Sequence, residues 1–437
     1  MSHLSMPTWS PSSMPTRTVM SSINPTHNSG LLHTLSSVMD RASTETDPIN
    51  LISMSQMARG AEASLTIIGA QEVLATATAD SVKSQATQAI FEATLNLKEL
   101  ADEENLYNTN LKMAPNVIYL VVFVLIFLYI CAMCWKSRYH WYNITFFAGY
   151  GLEFAGFVGR VMAVNNTTDI NLFLLQYISL TIAPAFIMGG IYFIFAQVVV
   201  IHGREFSVLK PMWYSYFFIA TDIISLMIQA GGGGASSSAS KNHQDTAPGT
   251  NTMIAGILFQ VVAMTIFLGF WFEFLNRIYF KYSKVISQST DNPLAKRSFG
   301  NYFKLLFNTK SARAFRRDHL DSYYNPKFAD IRKRKLLDWF PLAVTVSVVA
   351  IYIRCVYRVA ELSQGFDGYL VTTEVFLMVL DALMIAICGL IFVPFHPVWV
   401  FGSSNVIKLA TIKKNHDQHD EEKVESNSDQ ASGEISA

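Results

Sequence analysis

Seven stretches of this 437-residue chain are long and apolar enough to span a hydrocarbon layer, which limits the fold before any motif is considered. They cover about 115–135, 141–164, 170–200, 212–232, 252–275, 339–357 and 371–395, each near the roughly 20 residues that a helix needs to cross a bilayer. In lipid every backbone N–H and C=O must find its partner within the chain, so the expected fold is all-α, a polytopic bundle of seven transmembrane helices. Composition agrees, with 51% hydrophobic and 15% charged residues. A formal net charge of zero gives no general affinity for nucleic acid.

The cations orient the spans. Lys136 and Arg138 follow the first run, Arg204 and Lys210 the third, and residues 276–338 hold fifteen Lys and Arg against five Asp. The alternate connections hold none, Lys241 alone and Arg358 alone. By the positive-inside rule the N-terminus lies outside and the C-terminus in the cytosol. Residues 1–112 are then an external Ser/Thr-rich tail, disordered over about its first 60 residues and amphipathic and helical over 60–104. The membrane domain occupies 113–400, and 401–437 form an acidic, disordered cytosolic tail. Within the basic loop, "FKLLFNTKSARAFRRDHL" reads as a basic amphipathic helix drawn to anionic headgroups of the cytosolic leaflet. Cys131, Cys134, Cys355 and Cys388 all fall in or beside spans and imply no disulfide framework.

Ionisable residues inside the spans are the candidates for function, because a charge in hydrocarbon persists only when something compensates it. At 1.5 Å per residue Glu153, Asp222 and Asp381 each lie about 15–18 Å deep, so three carboxylates are expected to meet near the midplane. Arg160, Gln229, Arg354 and Arg358 fall in the outer half, which makes the bundle acidic at its centre and basic toward the outside. Glu153 and Arg160 are seven apart, as are Asp222 and Gln229, and each pair shares one helix face. Gly149, Gly156 and Gly159 line the first of these faces and favour close helix approach. Such charges also pair with one another simply to fix helix register.

Several absences narrow the class. No G-x-x-x-x-G-K-[ST] occurs, so the "GGGG" at 231–234 is no phosphate cradle, and no lysine lies within the spans to carry a retinal Schiff base. No cofactor or resident metal is expected, although His140, His202 and His396 at one membrane edge leave open a zinc-dependent lipid hydrolase.

"GLEFAGFVGR" (151–160), "LTIAPAFIMGGIYFIF" (180–195), "DIISLMIQAGGGG" (222–234) and "IRCVYRVAELSQGFDGYLVTTEVFLMVLDALMI" (353–385), followed by His396 and Pro397, resemble the fungal lipid-translocating exporter family. Sphingoid long-chain base exporters and aminocholesterol-resistance proteins belong to it. The resemblance spans about residues 113–400. It implies a seven-helix plasma-membrane protein that moves amphipathic lipids and contributes to lipid asymmetry and drug resistance, without a catalytic site. Carried over residue by residue, the motif positions are Glu153, Gly156 and Arg160, then Ala183, Pro184 and Tyr192, then Asp222, Ser225, Gln229 and Gly231. In the last two helices they are Arg354, Arg358, Glu361, Gly365, Gly368, Glu374 and Asp381. The resemblance makes Pro184 and Gly231 further candidates for close packing and Glu361 a further member of the polar interior. Where the family commonly has tyrosine, this chain has Phe157. The expected partners are membrane lipids, and the expected function is lipid translocation. A seven-helix lipid- or stress-sensing receptor is the competing class, although no E/D-R-Y or N-P-x-x-Y signature is present.

Overall fold

The computed structural model describes residues 20–103, 105–107, 109, 111–241, 245–290, 292–365 and 368–402. The first nineteen residues and most of the acidic 401–437 tail lie outside the described residues. The chain forms two compact units, 1–109 with 166–170 and 234–248, and the remainder. Among the described residues every regular element is helical.

The first unit is built from α1 (Asn28–Ala42), α2 (Pro48–Thr76) and α3 (Asp80–Glu103). Order therefore reaches into the Ser/Thr-rich stretch expected to lack it. Thr34, Ser53 and Ser55 return their hydroxyls to carbonyls within their own helices, which satisfies them without a core. The single amphipathic helix expected over 60–104 is instead two, broken at 77–79. Folding back sets Ala63 and Ile67 against Ala93, and Ala70 against Ala86 and Ile90, so small residues bury the apolar stripe that one straight helix would leave bare. Arg59 ties the open end to Glu103 at 3.1 Å.

The second unit carries the apolar runs, as α4 (Met113–Lys136), α5 (His140–Ala163), α6 (Ile170–His202), α7 (Pro211–Lys241) and α8 (Ala247–Phe280). Short helices follow, α9 (Ser283–Ser289), α10 (Phe299–Leu306), α11 (Lys310–Phe315) and α12 (Ala329–Arg332). The chain then forms α13 (Lys335–Ser363), α14 (Tyr369–Thr372), α15 (Glu374–Phe376), a π-helical segment Leu377–Ala382, α16 (Leu383–Phe392) and α17 (Pro397–Phe401). Six helical segments are long and apolar enough to cross a membrane by length and composition. The run at 141–164 folds as α5, which carries Glu153 and Arg160 and is not among those six.

The basic sequence 303–320 is not one helix. It breaks between α10 and α11, where Asn308 takes a positive φ of 48°, a conformation that asparagine tolerates better than most residues. Leu305, Leu306, Ala312 and Phe315 then turn into the core. Arg313, Arg316 and Arg317 all face Asp338, at 3.9, 3.4 and 3.1 Å.

Candidate functional site

Glycines set the approach of α5 to α6. A Cβ on Gly149 would meet Ile187 and the Ala183 carbonyl, one on Gly156 would stand 2.7 Å from Leu180, and one on Gly159 would meet the Leu172 carbonyl. That face of α5 is buried, and it carries Glu153 and Arg160 inward with the glycines. Gly231, by contrast, has open space where a Cβ would go, so it is not a packing glycine. The neighbouring Gly232 takes that part, because its Cβ would fall 2.6 Å from the Met253 nitrogen and 2.8 Å from the Gly249 carbonyl.

Pro184 lies inside α6 and is buried. A proline there has no N–H to give, which releases the carbonyl four residues earlier. That carbonyl belongs to Leu180, and Arg354 of α13 donates to it through Nη2 while its Nε donates to Asp381. Asp381 occupies the π-helical segment, and such segments recur where a helix must re-aim a side chain for function. Arg358, one turn along α13, donates to Glu361 at 2.7 Å and lies 3.8 Å from Asp381, an ion-pair distance but too long for a hydrogen bond. Tyr357 adds its hydroxyl to Glu361 at 3.1 Å. Glu153 stands in the field of Arg354, Asp381 and Arg358, and its Oε1 is buried without a hydrogen-bond partner among the described residues. Two guanidiniums thus face three carboxylates, and one acid is in excess.

Arg160 belongs to a second group. Its Nε donates to Asn116 at 2.6 Å and its Nη2 to Glu374 at 2.9 Å, while Asn116 and the Lys112 amide also donate to Glu374, at 2.6 and 3.0 Å. The first turn of α4, the last turn of α5 and the start of α15 meet here. Asn116 carries little signal in the sequence, being one amide at the start of an apolar run, yet it accepts directly from Arg160.

Asp222 belongs to a third. It is 3% exposed, and the Tyr192 hydroxyl of α6 donates to its Oδ2 at 3.1 Å. Its Oδ1 is buried without a hydrogen-bond partner among the described residues. Further along α7, Ser225 donates to the Gly256 carbonyl of α8 at 2.7 Å. Gln229 donates to Ser225 at 2.7 Å and to Gln260 at 3.3 Å. Gln260 is equally inconspicuous in the sequence, since one amide in an apolar run carries little signal.

Two expectations are corrected by this geometry. The acids do not form one bonded group, because Glu153 stands in the field of Asp381 and its arginines whereas Asp222 is held by Tyr192, with Cys355 in the field of both Asp222 and Asp381. Nor are acids central and arginines outer, since Arg354 binds Asp381 directly. The π-helical segment at Asp381 departs from the regular helix that a depth scale of 1.5 Å per residue assumes. The histidines do not converge either. His140 is exposed, while His202 bonds the Val198 carbonyl at 2.9 Å. His396 caps α17 by accepting from the Val398 amide and pairs with Asn143 at 3.0 Å. Among the described residues no three His, Cys, Asp or Glu side chains are grouped to hold a metal ion.

A buried acid with one open oxygen, a charge cluster with a carboxylate in excess and interhelical contacts set by glycine form a membrane interior built around polar groups. The chain is a multi-pass membrane protein. Residues 146–404, which include every one of these acidic and basic residues, match the family described as RTA1 like protein. The chain is 38% identical over 323 residues to the sphingoid long-chain base transporter RSB1 of Saccharomyces cerevisiae, covering 72% of this chain and 79% of that one. It is 25% identical over 252 residues to Protein RTM1 of the same organism (57% and 65%), and 27% over 242 residues to its Protoporphyrin uptake protein 1 (55% and 63%). No solved structure matches. A family match over more than half the chain, together with 38% identity across most of a relative, makes this chain a member of the RTA1-like family.

Proposed function

We propose that this protein translocates sphingoid long-chain bases across the bilayer, within a bundle in which α5 supplies a seventh crossing, the N-terminus lies outside and the C-terminus lies in the cytosol. The alternation of cation-rich and cation-poor connections supports that topology. The single observation that carries the functional reading is Asp222, buried with one carboxylate oxygen unpartnered and no cation bonded to it among the described residues. A sphingoid base presents a protonated amine on an apolar chain, and an open buried carboxylate offers that amine a counter-ion. Glu153 offers a second. Arg160, Arg354 and Arg358 already have carboxylate partners, so a phosphate would have to displace one of them. A cationic headgroup therefore suits the interior better than a phospholipid's. The relative named as a sphingoid long-chain base transporter supports the same substrate class.

With no P-loop in the sequence, uphill export draws on an ion gradient or a partner, with Asp222 and Glu153 as proton carriers. Action at the plasma membrane, on lipid asymmetry and resistance to toxic amphipaths, belongs to the same reading. The test is the purified chain in liposomes with fluorescent sphingosine, N-acetylated sphingosine and phosphatidylcholine. Losing one charge-assisted bond costs about 1.5–3 kcal/mol, so the free amine should cross at least about tenfold faster than its acetylated form. If sphingosine crosses no faster than in protein-free liposomes, direct translocation is wrong and a sensing or regulatory role takes its place.

A further inference from the structure

At the end of α8 a cavity of about 630 Å³ opens between α8, α9 and the start of the basic loop. Arg277, Lys281, Lys284, Lys296 and Arg297 line it against only two acids, Glu205 and Glu273. Both acids are already engaged, Glu273 with Arg277 at 2.8 Å and Glu205 with Lys281 at 3.2 Å. Three exposed cations, Lys284, Lys296 and Arg297, remain in excess. None of them serves the polar groups between the long helices.

The residues that follow supply a second, independent observation. Leu305 and Leu306 of α10 are buried in the core, so the part of this stretch that meets water should be polar. It carries phenylalanine instead, with Phe299 82%, Phe303 48% and Phe307 54% exposed. These lie four residues apart on one face, with ring centroids 6.3 and 6.4 Å apart in succession. Aromatic rings beside cations at the end of a transmembrane helix suit the headgroup boundary, where the rings enter acyl chains and the cations meet anions.

We infer that this cavity and the phenylalanine face of α10 together bind a lipid whose headgroup carries a phosphomonoester, at a site separate from the translocation interior. A net excess of three cations over acids in the lining matches a headgroup with more than one negative charge. A zwitterionic headgroup has no net charge to offer them. The phosphate would sit among Lys284, Lys296 and Arg297, and Phe299 and Phe303 would hold its chains.

Binding of dioctanoyl phosphatidic acid, dioctanoyl phosphatidylcholine and glycerol 3-phosphate to the full chain in neutral detergent micelles tests this. Phosphatidic acid should bind at least about tenfold more tightly than either of the others, the worth of roughly one charge-assisted bond. The variant Lys284→Gln/Lys296→Gln/Arg297→Gln should lose that preference. Phe299→Ser/Phe303→Ser should weaken phosphatidic acid and leave glycerol 3-phosphate unchanged, and both variants should elute as the parent does on size exclusion. Lys296→Glu alone, a milder change to the fold, should also lower the affinity. Glycerol 3-phosphate binding as tightly as the lipid would make this a free-phosphate site, and undiminished binding by the triple variant would remove the site; either overturns the proposal. Neither result bears on sphingosine movement in liposomes, so the two proposals fail separately.

Discussion

The interior holds two kinds of polar region. Around α13 and α15 the arginines are bound to carboxylates, Arg354 to Asp381, Arg358 to Glu361 and Arg160 to Glu374. Around α7 the acid Asp222 has a tyrosine hydroxyl and no cation, beside an amide and hydroxyl chain through Ser225, Gln229 and Gln260. In the first arrangement each arginine is neutralised by its own carboxylate, with Glu153 left as the excess acid, and the pairs hold helices in place. The second leaves a charge to be met by something that arrives. Burial is the same in both, so it is the partner that separates structural charge from available charge.

The largest effect should come from breaking the neutralised side. Arg354→Leu leaves Asp381 buried without its cation and should cost about 3–5 kcal/mol, seen as a lower thermal midpoint in detergent and a smaller monodisperse fraction. Arg354→Lys should recover only part of it, because one ammonium cannot reproduce the fork to Asp381 and the Leu180 carbonyl. The open side predicts the opposite pattern. Asp222→Asn should leave the thermal midpoint unchanged and slow sphingosine crossing by at least about tenfold, and a stability loss as large as that of Arg354→Leu would dissolve the distinction.

Two adjacent glycines sharpen the comparison with smaller effects. Gly232→Ala forces α7 from α8 against backbone atoms, a strain worth about 1–3 kcal/mol that should be visible in the melting midpoint. Gly231→Ala enters open space and should stabilise by up to about 1 kcal/mol through better helix propensity. Should both melt alike, α7 does not approach α8 as described.

The apolar runs were legible because crossing length is a property of single segments, and six of them recur as helices long and apolar enough to span. The polar candidates were legible because a charge in such a run is conspicuous. Their pairing was not, because it depends on which helix lies beside which. Glu374 entered only through the family motif, and Asn116 not at all, although both stand at helix starts that meet the last turn of α5 at Arg160. Asking which polar residues share that end would have found this group from sequence. Nothing in the sequence foretold the turn of α10 that exposes Phe299 and Phe303, since its register depends on Leu305 and Leu306 being claimed by the core.

Pro184 has a consequence for inheritance. Its missing N–H leaves the Leu180 oxygen to Arg354, so a residue that restores the donor obliges that oxygen to divide itself between its own helix and the guanidinium that α13 brings to it. Neither partner's value is fixed without the other, and their joint loss should cost less than the two separate losses added. Proline and arginine, 170 positions apart in the chain, thus behave as a single heritable unit, each making the other worth keeping.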